Sequence, residues 1–103
     1  MTYYILNTLT IKYGCIEQLV TVMKEHLPYM ERQGWHLRGA YRPVIGDFNK
    51  ITHIWELDDL ECVDKMFSES SGSNPHVLKA LNAFAEFLES ENLRMVMKTP
   101  YSP

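Results

Sequence analysis

Cysteine is scarce in this 103-residue chain: Cys15 and Cys62 are the two it has, and they form no CxxC pair. That excludes a disulfide framework and fits a reducing compartment. No apolar run approaches the ~18 residues that a helical membrane span needs, so no membrane partner is expected. The opening Met1-Thr2-Tyr3-Tyr4 carries neither a basic n-region nor an Arg-rich amphipathic stretch, so no secretion or import leader is expected. Positive charge is also short, with 10 Lys and Arg against 13 Asp and Glu and no basic cluster, which argues against a nucleic-acid partner. P-loop, GxGxxG and GxSxG motifs are all missing, so nucleotide binding and the common hydrolase have no support. The four histidines show no HxxxH-like spacing, and neither a metal nor another cofactor is expected. What is present is 46% hydrophobic and 22% charged, without linker, repeat or low-complexity segment. These properties predict one cytoplasmic globular domain over residues 1–103.

Residues 3–12 are rich in β-branched and aromatic types and read as a strand apolar on both faces. Gly14 breaks it. Ile16, Leu19, Val20, Met23, Leu27 and Met30 then recur at helical spacing, with Pro28 expected to kink or end the helix and Gly34 to close it. Residues 35–45 alternate, placing Trp35, Leu37, Tyr41 and Pro43 on one face and His36, Arg38, Ala40, Arg42 and Val44 on the other. A turn at Gly46–Asn49 leads into a return strand, Lys50 to Leu57. Asp58-Asp59-Leu60-Glu61 is a capping box that opens a short helix bearing Leu60, Val63, Met66 and Phe67. A polar loop over 68–73 comes next, then an Asn74 N-cap with Pro75 at the first helical position, a helix bearing Val77 to Leu88, and a last strand over 92–99. The order βαββαβ, with its second helix broken in two, predicts an α+β, ferredoxin-like antiparallel sheet with helices on one face.

The first strand's second face is also apolar (Tyr3, Ile5, Leu9 and Ile11 if Leu6 faces the helices), and Trp55 stands on the return strand. An exposed face of that kind marks an interface. The expected partner is a second copy of the chain, two sheets packing face to face around a barrel-like cavity.

The ordered set Tyr4-x-Leu6-x-Thr8-x-Thr10-x-Lys12-x-Gly14, Gly34-Trp35, Leu37, Gly39, Ile45-Gly46-x-x-Asn49, His53-Ile54-Trp55, Leu60, Asn74-Pro75 and Pro100-Tyr101-Ser102-Pro103 resembles the NIPSNAP group of the dimeric α/β-barrel superfamily over nearly the whole chain. The resemblance implies a homodimeric barrel. The sequence departs from the family pattern where Ile5 and Asn7 stand in place of a glutamate and an arginine, and where Val44 replaces a glutamate before the turn. Heme degradation, known in related barrels, is not expected, because no histidine stands near Leu81 or Asn82.

His53 is the first candidate for chemistry. It shares strand parity with Ile51, Trp55 and Leu57, and a histidine in a small apolar chamber suits general acid/base work. By resemblance it aligns with the histidine that plant cyclase barrels use in an aldol-type ring closure. The bland alternative is a structural histidine bonded to backbone. If Ile45 pairs with Lys50, Arg42 lies opposite His53 and Ala40 opposite Trp55, and Arg42 could then hold a carboxylate or enolate. Arg38 reads more as a solvated outer residue. Asn7 sits where small oxygenases of the superfamily carry an asparagine, and the alternative is a polar group bonded across the sheet. Trp55 and Tyr41 are candidate walls of the ligand site or simply core or interface aromatics. His26 and His76 are expected to be exposed, and neither cysteine has a case for nucleophilicity.

The expected function is binding of a small, partly apolar molecule, with a cofactor-free isomerase, cyclase or lyase acting on a carbonyl-containing metabolite as its catalytic form. The alternatives are a non-catalytic ligand-binding or protein-interaction module and a cofactor-free monooxygenase.

Overall fold

The computed structural model describes residues 2–70 and 74–103. Strand β1 (Tyr3–Ile11) leads into helix α1 (Ile16–Arg32). Strands β2 (Trp35–Tyr41) and β3 (Lys50–Leu57) come next, then helices α2 (Glu61–Ser70) and α3 (Pro75–Phe87) and strand β4 (Leu88–Val96). The four strands form one antiparallel sheet in the order β2-β3-β1-β4, the ferredoxin-like α+β arrangement that the element order predicts. Part of the expected polar loop is helical, since α2 runs to Ser70, and residues 71–73 lie outside the described residues. Pro28 sits inside α1 without ending it. At the start of α3, the Asn74 side chain accepts from the amides of His76 and Val77, and its Nδ2 donates to the Tyr29 hydroxyl at 3.1 Å, tying this cap to α1.

Register decides which face is core. Tyr3, Ile5, Asn7, Leu9 and Ile11 of β1 point with Leu57, Trp55, His53 and Ile51 of β3 toward the helices, and all but Tyr3 are buried. Leu6 faces the other way, with its cross-strand partner Ile54. This reverses the expectation that Leu6 meets the helices and that Tyr3, Ile5, Leu9 and Ile11 do not. A strand apolar on both faces carries no parity signal, so sequence alone leaves that choice open. The apolar layer under the helices forms two clusters, one around Ile5, Met30, Trp35, Trp55 and Leu57, the other around Leu9, Ile11, Leu19, Ile51 and Phe87. Between them, in the middle of the sheet, lies the polar cross-strand pair Asn7 and His53.

In β2 the clean alternation fails. Leu37 pairs with Trp55 and Gly39 with Ile54, leaving Arg38 as the extra residue of a β-bulge. The bulge inverts the parity of the strand residues beyond it. Ala40, not Arg42, lies opposite His53, and Tyr41 lies opposite Thr52 on the face away from the helices. There Tyr41 packs across Gly39, where an added Cβ would fall 2.6 Å from its ring. The ladder stops at Tyr41, ahead of Pro43, which has no amide to donate.

The end of α1 is joined to the sheet by two local devices. Gly34 has φ +88°, and a Cβ there would fall 2.6 Å from the Cys62 sulfur. Gly34→Ala is therefore expected to lose on the order of 2 kcal/mol from the left-handed backbone alone, read as a lower denaturation midpoint, whereas Gly14→Ala, at φ +85° with open space around it, adds no clash.

The second device is His36, whose Nδ1 and Nε2 lie 2.6 Å from Glu31 Oε1 and 2.7 Å from Asp58 Oδ1. Carboxylates only accept, so both nitrogens donate and the ring is an imidazolium; these hydrogen bonds raise its pKa above the usual 6.5. A raised histidine pKa stabilises the fold fully below about 6.5, and the contribution fades as pH climbs through the folded-state value. Chemical denaturation from pH 6 to 9 is expected to show this loss in the wild type and not in His36→Gln. The carboxylates are solvent-exposed, so the effect is small and shrinks with salt.

Candidate functional site

The polar pair opens onto a cavity of about 200 Å³ between the sheet and the helices. Its floor is Asn7, Leu9, His53 and Trp55, its walls include Trp35, Met23 and Met30, and Glu91 and Leu93 of β4 flank it. Phe67, Leu81 and Leu93 are large apolar side chains left partly exposed around it. For a drug-sized ligand this volume is small; it holds the equivalent of roughly six waters.

His53 is 3% exposed and meets the edge of Trp55, ring centroids 5.9 Å apart at 82°. Among the described residues no hydrogen bond holds its ring, which sets aside the backbone-bonded structural histidine. Burial pushes its pKa below the ordinary value, so the ring is neutral near pH 7 and has a lone pair to accept a proton. Trp55 is in turn packed edge-on by Trp35, at 5.9 Å and 77°, and the Trp35 indole donates to the Cys62 carbonyl at 3.2 Å. The ring that orients His53 is therefore itself held.

Asn7 is 7% exposed. Its Nδ2 donates to Glu91 Oε2 at 3.0 Å, while its Oδ1 is buried and has no hydrogen-bond partner among the described residues. A buried amide oxygen left without a donor is costly and needs a reason. The expectation of a polar group bonded across the sheet is thus half met, through the amide nitrogen alone.

Of the residues singled out from sequence, the fold brings His53, Asn7 and Trp55 together and leaves Arg42 and Tyr41 apart. Arg42 lies just beyond β2 and lines a separate, larger cavity of about 460 Å³ with Lys12, Tyr13, Phe48 and Asn49. Tyr41 is 59% exposed on the opposite sheet face. The larger cavity contains no histidine, and we place the candidate site in the smaller one because the buried titratable and unsatisfied groups converge there. Sequence reasoning missed Glu91, since β4 begins at Leu88 and not at Asn92, and it missed Trp35 as a wall. His26, expected to be exposed, is half-buried at the cavity, its pKa lowered by burial and then by nearby His76. Among the described residues no group of His, Cys, Asp and Glu could hold a metal ion, and no helix is long and apolar enough to cross a membrane.

The fold and this cavity define a ferredoxin-like α+β protein with a pocket between sheet and helices. The chain matches the family profile described as NIPSNAP over residues 4–103 and belongs to the NIPSNAP family. It is similar to a NIPSNAP family protein of unknown function from Agrobacterium tumefaciens, at 21% identity over 99% of this chain and 92% of that one, with a TM-score of 0.82. An uncharacterized NIPSNAP domain protein from Burkholderia xenovorans is 16% identical over 98% of each chain, TM-score 0.78. The same fold carries a putative antibiotic biosynthesis monooxygenase from Nitrosomonas europaea, 9% identical over 99% of this chain and 94% of that one, TM-score 0.73. No curated protein matches the chain.

Proposed function

We propose that the protein is a homodimer that binds one small, largely apolar molecule per subunit in the cavity under His53, where the neutral imidazole moves a proton without a cofactor, as isomerases, cyclases and lyases of this simple kind do. One observation carries the reading: a buried histidine with no hydrogen bond among the described residues stands beside an asparagine oxygen that lacks a donor, on the floor of an otherwise apolar pocket. Such a pair is unfavourable in an empty core and useful in an occupied one. Arg42 has no part in this reading, because it lies on the other cavity.

A second reading, binding without chemistry, is favoured by the lining itself, which includes no Lys or Arg to stabilise an anionic intermediate. The dimer is supported by the sheet face away from the helices, where register places Tyr4, Leu6, Ile54 and Val96, all half-buried in the single chain, with exposed Tyr41 nearby. Native mass spectrometry of protein purified gently from its own cells tests both parts. The expected species has twice the 12.0 kDa subunit mass plus a small-molecule increment. A monomer would overturn the dimer, and protein that stays free of added apolar ligands under saturating conditions would overturn the binding reading.

A further inference from the structure

Glu91 decides what kind of ligand the cavity can read. An ionised carboxylate only accepts hydrogen bonds, so the 3.0 Å contact from Asn7 can be made by the amide NH2 alone. The amide is thereby held in one orientation, with Nδ2 toward β4. The oxygen that remains, Oδ1, is buried without a partner among the described residues and belongs to the cavity floor. It is an acceptor, and it is unable to serve as the donor to an oxyanion that asparagines at this strand position are expected to be. Next to it, directly across the ladder, stands His53, so the two groups meet the same end of a bound molecule. The rest of the lining is dominated by apolar side chains such as Trp35, Trp55, Met23 and Phe84.

We propose that the cavity selects a hydroxylated, largely apolar ring compound, of the phenol or enol class, whose O–H donates to Asn7 Oδ1, and that Glu91 sets this selectivity by fixing the amide. The proposal rests on the binding reading above and adds the polarity of the ligand's functional group. It makes Asn7 the specificity-determining contact and Glu91 a positioning residue that does not itself need to touch the ligand. Burying a ligand that lacks the donor leaves Oδ1 unsatisfied, which is the asymmetry that separates hydroxyl-reading sites from simple apolar ones.

The experiment compares 1-naphthol with 1-methoxynaphthalene, which has nearly the same shape and no donor, by calorimetric titration of the full chain. The wild type is expected to bind naphthol about tenfold more tightly, the worth of one hydrogen bond made or missed. Asn7→Leu is expected to bind the two alike. Should that variant fold poorly, Glu91→Gln serves, because a glutamine can donate as well as accept, lets the Asn7 amide turn, and is expected to narrow the tenfold gap while naphthol still binds. Equal binding of the two probes by the wild type would overturn the proposal and leave the cavity reading standing. Binding of neither would overturn both. A gap that persists unchanged in Asn7→Leu and Glu91→Gln would show that another group reads the hydroxyl, and would also overturn it.

Discussion

His53→Gln is expected to cut proton transfer in the cavity by a factor of at least about 100, the ordinary contribution of a positioned general base, while leaving the fold and the ligand affinity close to wild type. The measurement is exchange of solvent deuterium into 2-tetralone, a carbonyl compound with acidic C–H groups, monitored by mass spectrometry. In that reaction His53 takes the proton from carbon, exchanges it with solvent, and returns a deuteron. The wild-type rate should rise with pH through a value below 6.5 and then level off, because burial lowers the His53 pKa and only the neutral ring is a base. Unchanged exchange in His53→Gln would remove the catalytic form of the proposal and leave the binding form. The same pKa shift has a consequence for stability, opposite in sign to that of His36. A lowered histidine pKa means that the unfolded chain binds protons first as pH falls below 6.5, so His53 makes the fold less stable in acid.

The second large effect lies in packing. Phe87 is 1% exposed, the last residue of α3, and it closes the cluster formed by Leu9, Ile11, Leu19 and Ile51 against the sheet. Its ring also lies 5.4 Å from that of Phe84. Phe87→Ala is expected to cost about 3–5 kcal/mol, the range for deleting a buried aromatic from a core that collapses only in part. Small domains have roughly 5–15 kcal/mol to lose, so this one change brings the chain near the limit of folding. Thermal unfolding should show it as a drop of roughly 4–8 °C for each kcal/mol. Leu78→Ala, on the same helix but 38% exposed, is the control and should stay within about 1 kcal/mol of wild type. Comparable losses for the two would mean that Phe87 does not seal the core as described.

Much of this was legible in the chain, and the reasons differ residue by residue. The return strand Lys50–Leu57 and the Asn74-Pro75 helix start depend on local chemistry, alternation in one case and capping in the other, and both stand where expected. His53 was readable as enclosed because Ile51, Trp55 and Leu57 share its parity. Arg42 was not readable, because a single extra residue at Arg38 flips everything after it, and bulges leave no pattern that composition alone reveals. Glu91 was missed for a related reason. Strand β4 continues from α3 without an intervening loop residue, so the polar stretch at its start reads as a connection. The pairing of Asn7 with His53 and Glu91 is non-local, since it joins three strands distant in sequence. Only the sheet order makes it visible.

The central claim is that a small molecule binds beneath His53 and not in the larger cavity beside Arg42. Titrating 1-naphthol into protein labelled at its aromatic residues, with the ring signals monitored by NMR, tests it most directly. The account predicts saturable shifts at His53, Trp55 and Trp35, three rings that line the smaller cavity, with the signals of Tyr13 and Phe48 unmoved. Shifts confined to Tyr13 and Phe48, or a His53 ring that stays put while naphthol binds, would contradict it.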